Sequence, residues 1–233
     1  MDRSNEPAGR ATLREIAAAP LDKASLPGHD PGAPMPTTPP PNDAPHARGS
    51  VLHGFRAALV DLAGEGALAE VAERLPLDTR VRTLDRIVLP FEWVPVEDAI
   101  AWHDALWAGP LGNDEGKLAR FVSRSIELGF GRFKAAFFAG ITAERLFRRA
   151  QELWRYQHTH GDVTVAIDGT TSTVALSGHP YVDAPTSRRV TAESYRHLVT
   201  MALAQDDALR GRAVKTAWGV SGKSLVVQLS WPA

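Results

Sequence analysis

Histidine and carboxylate side chains near the middle of the chain could form a metal site. His158, His160 and Asp162 stand at alternate positions, and alternate residues of an extended segment point to the same side of the backbone. Imidazole and carboxylate groups are ligands for transition metals. No known motif spacing links these residues to the other candidates for a complete site, which are His103, Asp104, His179 and His197. A histidine-metal hydrolase therefore stays an alternative, and we assign no metal ligand.

The string Gly222-Lys223-Ser224 resembles the end of a phosphate-binding loop. In such a loop a further glycine stands five positions before Gly222, and a helix follows the serine. This chain has Ala217 at that position, and residues 225–231 alternate as a strand does. We therefore interpret the string as a hairpin turn that contains a lysine.

Groups for acid–base or nucleophilic catalysis are not arranged together in this sequence. No G-x-S-x-G nucleophile elbow occurs, and there is no cysteine. The adjacent acids Glu97 and Asp98, like Asp206 and Asp207, diverge by about 100° if they lie on a helix, so they do not share a proton-transfer site. We predict that the protein is not an enzyme.

Aromatic side chains provide a candidate binding pocket. They could enclose a small apolar ligand, with His158 or Arg132 as a polar contact. The same spacing is typical of an ordinary hydrophobic core, and this interpretation stays open for each residue. The candidate ligand-binding residues are Phe133, Phe137, Trp154, Tyr156 and His158.

All five residues belong to the segment 117–158, which has the longest helical apolar pattern in the chain. Residues 118–128 place an apolar stripe on one helix face, and Thr142 is a suitable N-cap for a helix that carries Trp154. The four arginines of this helix lie near Glu144 and Glu152, which indicates a solvated face instead of a nucleic-acid site. They are Arg145, Arg148, Arg149 and Arg155.

The rest of the chain predicts an α+β fold. Upstream, residues 50–75 have the spacing of two helices broken near Gly64 and Gly66, and a further helix follows Pro95. Beyond Gly161 the period drops to two, which predicts a hairpin with a turn at Asp168-Gly169, a helix from Thr191 to about residue 205, and a second hairpin. We expect an N-terminal helical half packed on a C-terminal antiparallel sheet of about four strands with one intervening helix.

The first 49 residues differ in composition from the remainder. They hold ten of the 17 prolines, and proline fixes φ and removes a backbone donor. We predict a disordered Pro-rich arm over 1–49 and a single domain over 50–233. Pro36 and Pro39 have the spacing of a PxxP docking motif, and a solvated linker is the alternative interpretation.

Overall composition narrows the class of protein. The 233 residues are 44% hydrophobic and 23% charged with a net charge of −1, which is typical of a globular domain and gives no general attraction to nucleic acid. The sequence has no apolar run long enough for a membrane span. The absence of cysteine and of a signal peptide fits a cytoplasmic protein.

Four strings along the chain carry a family resemblance: GFRAAL (54–59), LPFEWVPVEDAIAWHDAL (89–106), LARFVSRSIELG (118–129) and LVVQLSW (225–231). In order and spacing they resemble an uncharacterised myxococcal family related to the superfamily of four-vinyl-reductase-like domains, haem-based nitric-oxide sensors and TRAPP trafficking subunits. The resemblance covers residues 50–231 and implies helices on an antiparallel sheet with an apolar pocket between them.

Two motifs of these relatives are missing here. The cysteines that four-vinyl-reductase-like domains carry before the last strand are absent, and residues 195–199 do not match the Tyr-x-Ser-x-Arg clamp of the haem sensors. We therefore expect no cofactor.

From the resemblance and the missing catalytic groups we predict a non-enzymatic regulatory or ligand-sensing module that binds a small apolar ligand and acts through a protein partner or a homodimer. A purely structural scaffolding protein is the alternative.

Overall fold

The computed structural model describes residues 43–130, 142–205 and 209–231. Within them the N-terminal half is mainly helical and the C-terminal half contains an antiparallel sheet, which confirms the predicted α+β class. The helices are α1 Gly49–Ala63, α2 Gly66–Arg74, α3 Leu77–Thr83, α4 Val96–Ala108, α5 Glu115–Phe130, α6 Ala143–Arg148, α7 Ala150–Gln157 and α8 Pro185–Leu203. The strands are β1 His46–Arg48, β2 Trp93–Pro95, β3 Asp162–Asp168, β4 Thr171–Ser177, β5 Lys215–Ser221 and β6 Ser224–Ser230, and a 3-10 turn spans Pro180–Val182.

Helices α1 and α5 pack closely because a glycine lies at their contact. A Cβ atom on Gly54 would stand 2.6 Å from the backbone oxygen of Ser125, nearer than any real side chain approaches. Around this contact the apolar stripes predicted from the sequence are buried, with Leu52 and Leu59 on α1 and Phe121 on α5. The apolar period of these helices therefore determines which faces form the core.

The four-stranded sheet has the order β3-β4-β6-β5, and each neighbouring pair is antiparallel. Its two hairpins turn at Gly169 and Gly222, whose φ angles of +54° and +59° favour glycine. Lys223 thus lies in a hairpin turn, as the sequence predicts. One face of β4 and β6 is buried, with Val174, Leu176, Leu225, Val227 and Leu229.

Helix α8 connects β4 to β5 and begins earlier than predicted. It starts at Pro185 instead of Thr191. Proline suits the first turn of a helix, because its fixed φ matches and its missing N–H would have no partner there. The extra turn carries Ser187, which is fully buried.

A two-stranded ladder of β1 and β2 was not anticipated from the sequence. β1 pairs antiparallel with β2, and it also contacts the segment after α7 through a bridge between Ala47 and His158. The Arg48 guanidinium is buried 3.8 Å from the Trp93 ring centroid and donates to the backbone oxygen of Tyr156. Paired structure therefore begins before the predicted boundary at residue 50, whereas residues 1–42 of the predicted arm lie outside the described residues.

Helix α3 was also not predicted. Its Thr79 and Arg82 donate to the carboxylate of Asp98 on α4, which is fully buried, with Oδ1 2.8 Å from Thr79 Oγ1 and 2.7 Å from Arg82 Nη2. The Trp102 indole donates to Thr83 Oγ1 at 2.8 Å, and Thr83 in turn donates to the backbone oxygen of Thr79. We call Thr79, Arg82, Thr83, Asp98 and Trp102 the Asp98 network. It holds α3 against α4.

None of the helices in the described parts of the chain combines the length and the apolar character that a membrane crossing requires.

Candidate functional site: a buried histidine cluster

Three histidines from distant parts of the sequence meet where α4 contacts the C-terminal half. His103 lies on the inner face of α4, His158 follows α7 directly, and His179 precedes the 3-10 turn after β4. Trp154 of α7 and Tyr181 of the turn complete the group. We call His103, Trp154, His158, His179 and Tyr181 the histidine cluster. All five side chains are less than 10% exposed.

The rings of the cluster touch one another. The His158 ring stacks on Trp154 with 3.9 Å between centroids and 15° between planes, and the His179 ring meets His158 edge-on at 5.0 Å. Tyr181 lies 4.4 Å from His179, 5.6 Å from His158 and 5.3 Å from His103. Tyr181 therefore contacts all three histidines and links the helical half to the sheet half.

Only some of the polar atoms in the cluster are paired. His103 Nδ1 lies 2.8 Å from Ser187 Oγ, the Tyr181 amide donates to His179 Nδ1 at 3.2 Å, and the Trp154 indole donates to the His160 oxygen at 2.7 Å. Five buried atoms have no hydrogen-bond partner among the described residues: His103 Nε2, His158 Nδ1, His158 Nε2, His179 Nε2 and Tyr181 Oη. A buried polar group without a partner costs about 1–3 kcal/mol. Such a concentration is unusual for a core that serves packing alone.

Burial keeps the cluster uncharged at neutral pH. It lowers the pKa of His103 and of His158 to about 3, and that of His179 to about 2. At His158 the backbone of Trp154 opposes part of this shift, while repulsion among the histidines lowers the three pKa values further. Burial raises the pKa of the Tyr181 phenol. Each neutral imidazole offers one donor and one acceptor nitrogen, so the cluster can recognise a compact ligand by hydrogen bonds within apolar walls.

The structure brings together two of the five residues proposed as a ligand site. Trp154 and His158 stack in the cluster. Tyr156 does not join them, because its side chain is 52% exposed. Phe133 and Phe137 lie outside the described residues.

The metal alternative receives no support from the arrangement of its ligands. The His158 side chain is buried in the cluster, His160 Nδ1 pairs with Thr159, and the Asp162 carboxylate is exposed and pairs with Arg155. No group of three or more histidine or acidic side chains in the described part of the chain is placed to hold a metal ion.

Sequence reasoning named His103 and His179 only as further metal ligands and missed Tyr181. One signal was present: His103 falls on the same helix face as Val96 and Leu106, where a polar residue is exceptional. No pattern in the neighbouring sequence marks His179 or Tyr181 as part of a site, because the turn after β4 is positioned by tertiary contacts.

The remaining candidates have structural explanations. Arg148 pairs with Glu144, and Arg149 with Glu152, so this helical surface carries balanced charge.

Two surface clefts of about 330 and 510 Å³ lie along α1 and α5, and neither is lined by a residue of the histidine cluster.

No protein-family model matches the sequence, and no curated protein matches it either. Among solved structures, the chain is similar to H-NOX domains. An unliganded Fe(II) H-NOX protein from K. algicida has a TM-score of 0.56 at 6% identity over 80% of this chain and 97% of its own. An H-NOX protein from S. oneidensis has a TM-score of 0.54 at 12% identity, covering 80% and 96%. An oxygen-binding H-NOX domain related to soluble guanylate cyclases, solved with oxygen, has a TM-score of 0.51 at 12% identity, covering 80% and 95%. The described residues therefore have the H-NOX fold.

The H-NOX fold raises the question of whether the residues of this chain fit haem, because a further matching structure concerns haem distortion in the H-NOX family. The buried nitrogens of His103, His158 and His179 are chemically suitable axial ligands. The surroundings of His158 and His179 leave no open ring face for a macrocycle, because Trp154 stacks on His158 at 3.9 Å and the His179 ring lies against both His158 and Tyr181. The described surroundings of His158 and His179 thus do not fit haem.

Proposed function

We propose that this chain is a non-enzymatic ligand-sensing module that binds a compact small ligand at the histidine cluster. The observation that carries the proposal is the set of five buried polar atoms without partners at one junction between α4 and the C-terminal half. A ligand that hydrogen-bonds to them would recover free energy that the folded protein otherwise lacks. The H-NOX fold supports the proposal by analogy, because one matching domain is a gas-binding protein.

We infer that the response is transmitted by association with a protein partner or a second copy of the chain. The cluster joins three elements, α4, α7 and the turn before α8, so a ligand that separates its rings would shift these elements relative to one another. We also propose that a single domain follows the Pro-rich arm, that the protein is cytoplasmic, and that it is related to the myxococcal, four-vinyl-reductase-like and TRAPP families.

Native mass spectrometry of the purified full-length protein, compared with its denatured mass, tests this function. We expect a small extra mass that disappears on denaturation. It should be absent from His158→Leu and kept in Tyr156→Leu, since the Tyr156 side chain lies on the same helix but is exposed. Extra mass that persists in His158→Leu would overturn the cluster as the site. A wild-type mass that equals the sequence mass would favour the scaffolding alternative, above all if the protein is a dimer.

A further inference from the structure

The histidine cluster also connects parts of the molecule that come from distant sequence positions. His103 belongs to α4 in the helical half, whereas His158, His179 and Tyr181 belong to elements that flank the sheet. Contacts among these rings therefore close the junction between the two halves. A change in the protonation of the rings therefore acts directly on that junction.

No counter-charge stands beside the three histidines. Their hydrogen bonds go to Ser187 and to a backbone amide, and none of their contacts among the described residues is with a carboxylate. His103 also faces the first turn of α8 through Ser187, where the positive end of the helix dipole disfavours a cation. A proton on any of these rings would thus be an unpaired buried charge.

The ionisable groups on the surrounding elements are engaged elsewhere or exposed. On the acidic side, Asp98 pairs with Arg82, Glu152 with Arg149 and Asp162 with Arg155, and Asp104 and Asp183 are exposed. The nearby arginines contact other groups: Arg48 lies over the Trp93 ring, Arg56 donates to the Thr83 and Leu84 carbonyls, Arg188 donates to the Asp183 carbonyl, and Arg189 pairs with Glu115. The histidines outside the cluster are also hydrogen-bonded: His46 to the Ala44 carbonyl, His53 to the Val88 carbonyl and His160 to the Thr159 hydroxyl. None of them neutralises a charged ring in the cluster.

We propose that the histidine cluster is a proton-operated latch, which holds α4 against α7 and the 180–182 turn at neutral pH and releases them on acidification. The open form exposes the rings to water, where a histidine has an ordinary pKa near 6.5. In the closed form burial depresses the pKa of all three rings. The closed form is therefore fully favoured above pH 6.5, and it is lost progressively as the pH falls from 6.5 towards 3.

The size of the effect follows from this difference in proton binding. Each ring that becomes accessible multiplies the open population by about 30 between pH 7.5 and pH 5.0. The latch does not depend on whether the cluster binds a ligand. Its failure would leave the proposed function untouched, and its success would not establish that function.

Hydrogen–deuterium exchange of the full-length protein at pH 7.5 and pH 5.0, corrected for intrinsic exchange rates, tests the latch. In peptides over 155–160 and 179–184 we expect opening to increase at least 30-fold at pH 5.0, with β4 and β6 still protected. The increase should shrink by about 30-fold in His158→Leu, and by a similar factor in His103→Gln, which keeps a partner for Ser187. His53→Gln is the control, because His53 is exposed on α1, and it should respond as the wild type does.

Three results would overturn the proposal. One is unchanged exchange in these peptides at pH 5.0. Another is an equal rise in β4 and β6, which would mean global unfolding instead of local release. The third is an undiminished response in whichever of the two cluster variants folds.

Discussion

The Asp98 network and the histidine cluster, both in the described part of the chain, differ in how many of their buried polar atoms have a hydrogen-bond partner. In the Asp98 network each carboxylate oxygen accepts from Arg82, Oδ1 also accepts from Thr79, and the Trp102 indole donates to Thr83. In the histidine cluster five atoms have no partner among the described residues. Arg82 reaches the network from the surface, but the Asp98 carboxylate is as deeply buried as the histidine rings, so the difference between these two groups is not one of exposure.

This contrast distinguishes polar side chains that stabilise the fold from polar side chains that are available for function. A fully paired network holds two elements in one arrangement, and removal of one partner leaves the others unsatisfied. A partly paired cluster lowers stability in its own closed state, and this cost is reduced when a ligand binds to the free nitrogens or when the rings open to water. The Asp98 network should therefore respond to mutation with a loss of stability, whereas the cluster should respond with a loss of sensitivity.

The largest effect is expected for Asp98→Ala. It leaves the buried hydroxyl of Thr79 without an acceptor and removes the bidentate partner of Arg82, which should lower the free energy of unfolding by about 3 kcal/mol. Urea unfolding at pH 7.5 measures this. Asp85→Ala removes the exposed pair with Arg80 and should cost less than about 1 kcal/mol. Equal losses in the two variants would show that the network does not stabilise the α3–α4 contact.

A smaller effect is expected for Thr83→Val, which keeps the shape of the side chain. The variant leaves the Trp102 indole N–H, 2.8 Å from Thr83 Oγ1 in the wild type, without its acceptor. The expected loss is about 1–2 kcal/mol by urea unfolding, with the fold retained. A variant as stable as the wild type would mean that the indole finds another acceptor, and the network would then be less constrained than its geometry implies.

The smallest effect, with the opposite sign, is expected for His158→Leu at pH 7.5. Both ring nitrogens of His158 lack partners, so an apolar side chain of similar volume removes two unsatisfied groups while it loses the stacking on Trp154. The free energy of unfolding should stay the same or rise by up to about 1 kcal/mol. A loss of 2 kcal/mol or more would show that the cluster is a structural element like the Asp98 network, and the contrast between the two regions would disappear.

Local sequence patterns predicted most of the fold. The Thr142 cap accepts from the Arg145 amide as expected, and the turns at Gly169 and Gly222 lie where the period-two segments are interrupted. These features depend on neighbouring residues, so the sequence contains the necessary information. The exceptions are the β1–β2 ladder, which joins distant segments, and α3, whose Leu77 and Val81 are exposed and whose Arg82 pairs at long range with Asp98.

The candidate site was predicted less well, for a physical reason. Trp154 and His158 lie four residues apart and could be found together from helical spacing. His103, His179 and Tyr181 reach them only because α4 packs beside the turn before α8, a relation that no spacing in the chain encodes. The unpaired state of their nitrogens depends on the whole surrounding structure and is invisible in the sequence.

Strand β1 has a consequence for the order in which the protein folds during synthesis. The His46 amide donates to Thr159 across 113 residues, and Arg48 donates to Tyr156 across 108. A ribosome releases the chain from the N-terminus, so β1 leaves the exit tunnel long before its second partner exists. The helical half can form early, but Arg48 must wait beside Trp93 until α7 has been made. Closure of the N-terminal strand should therefore be among the last events of folding, and a nascent chain that stops before residue 156 should lack this contact.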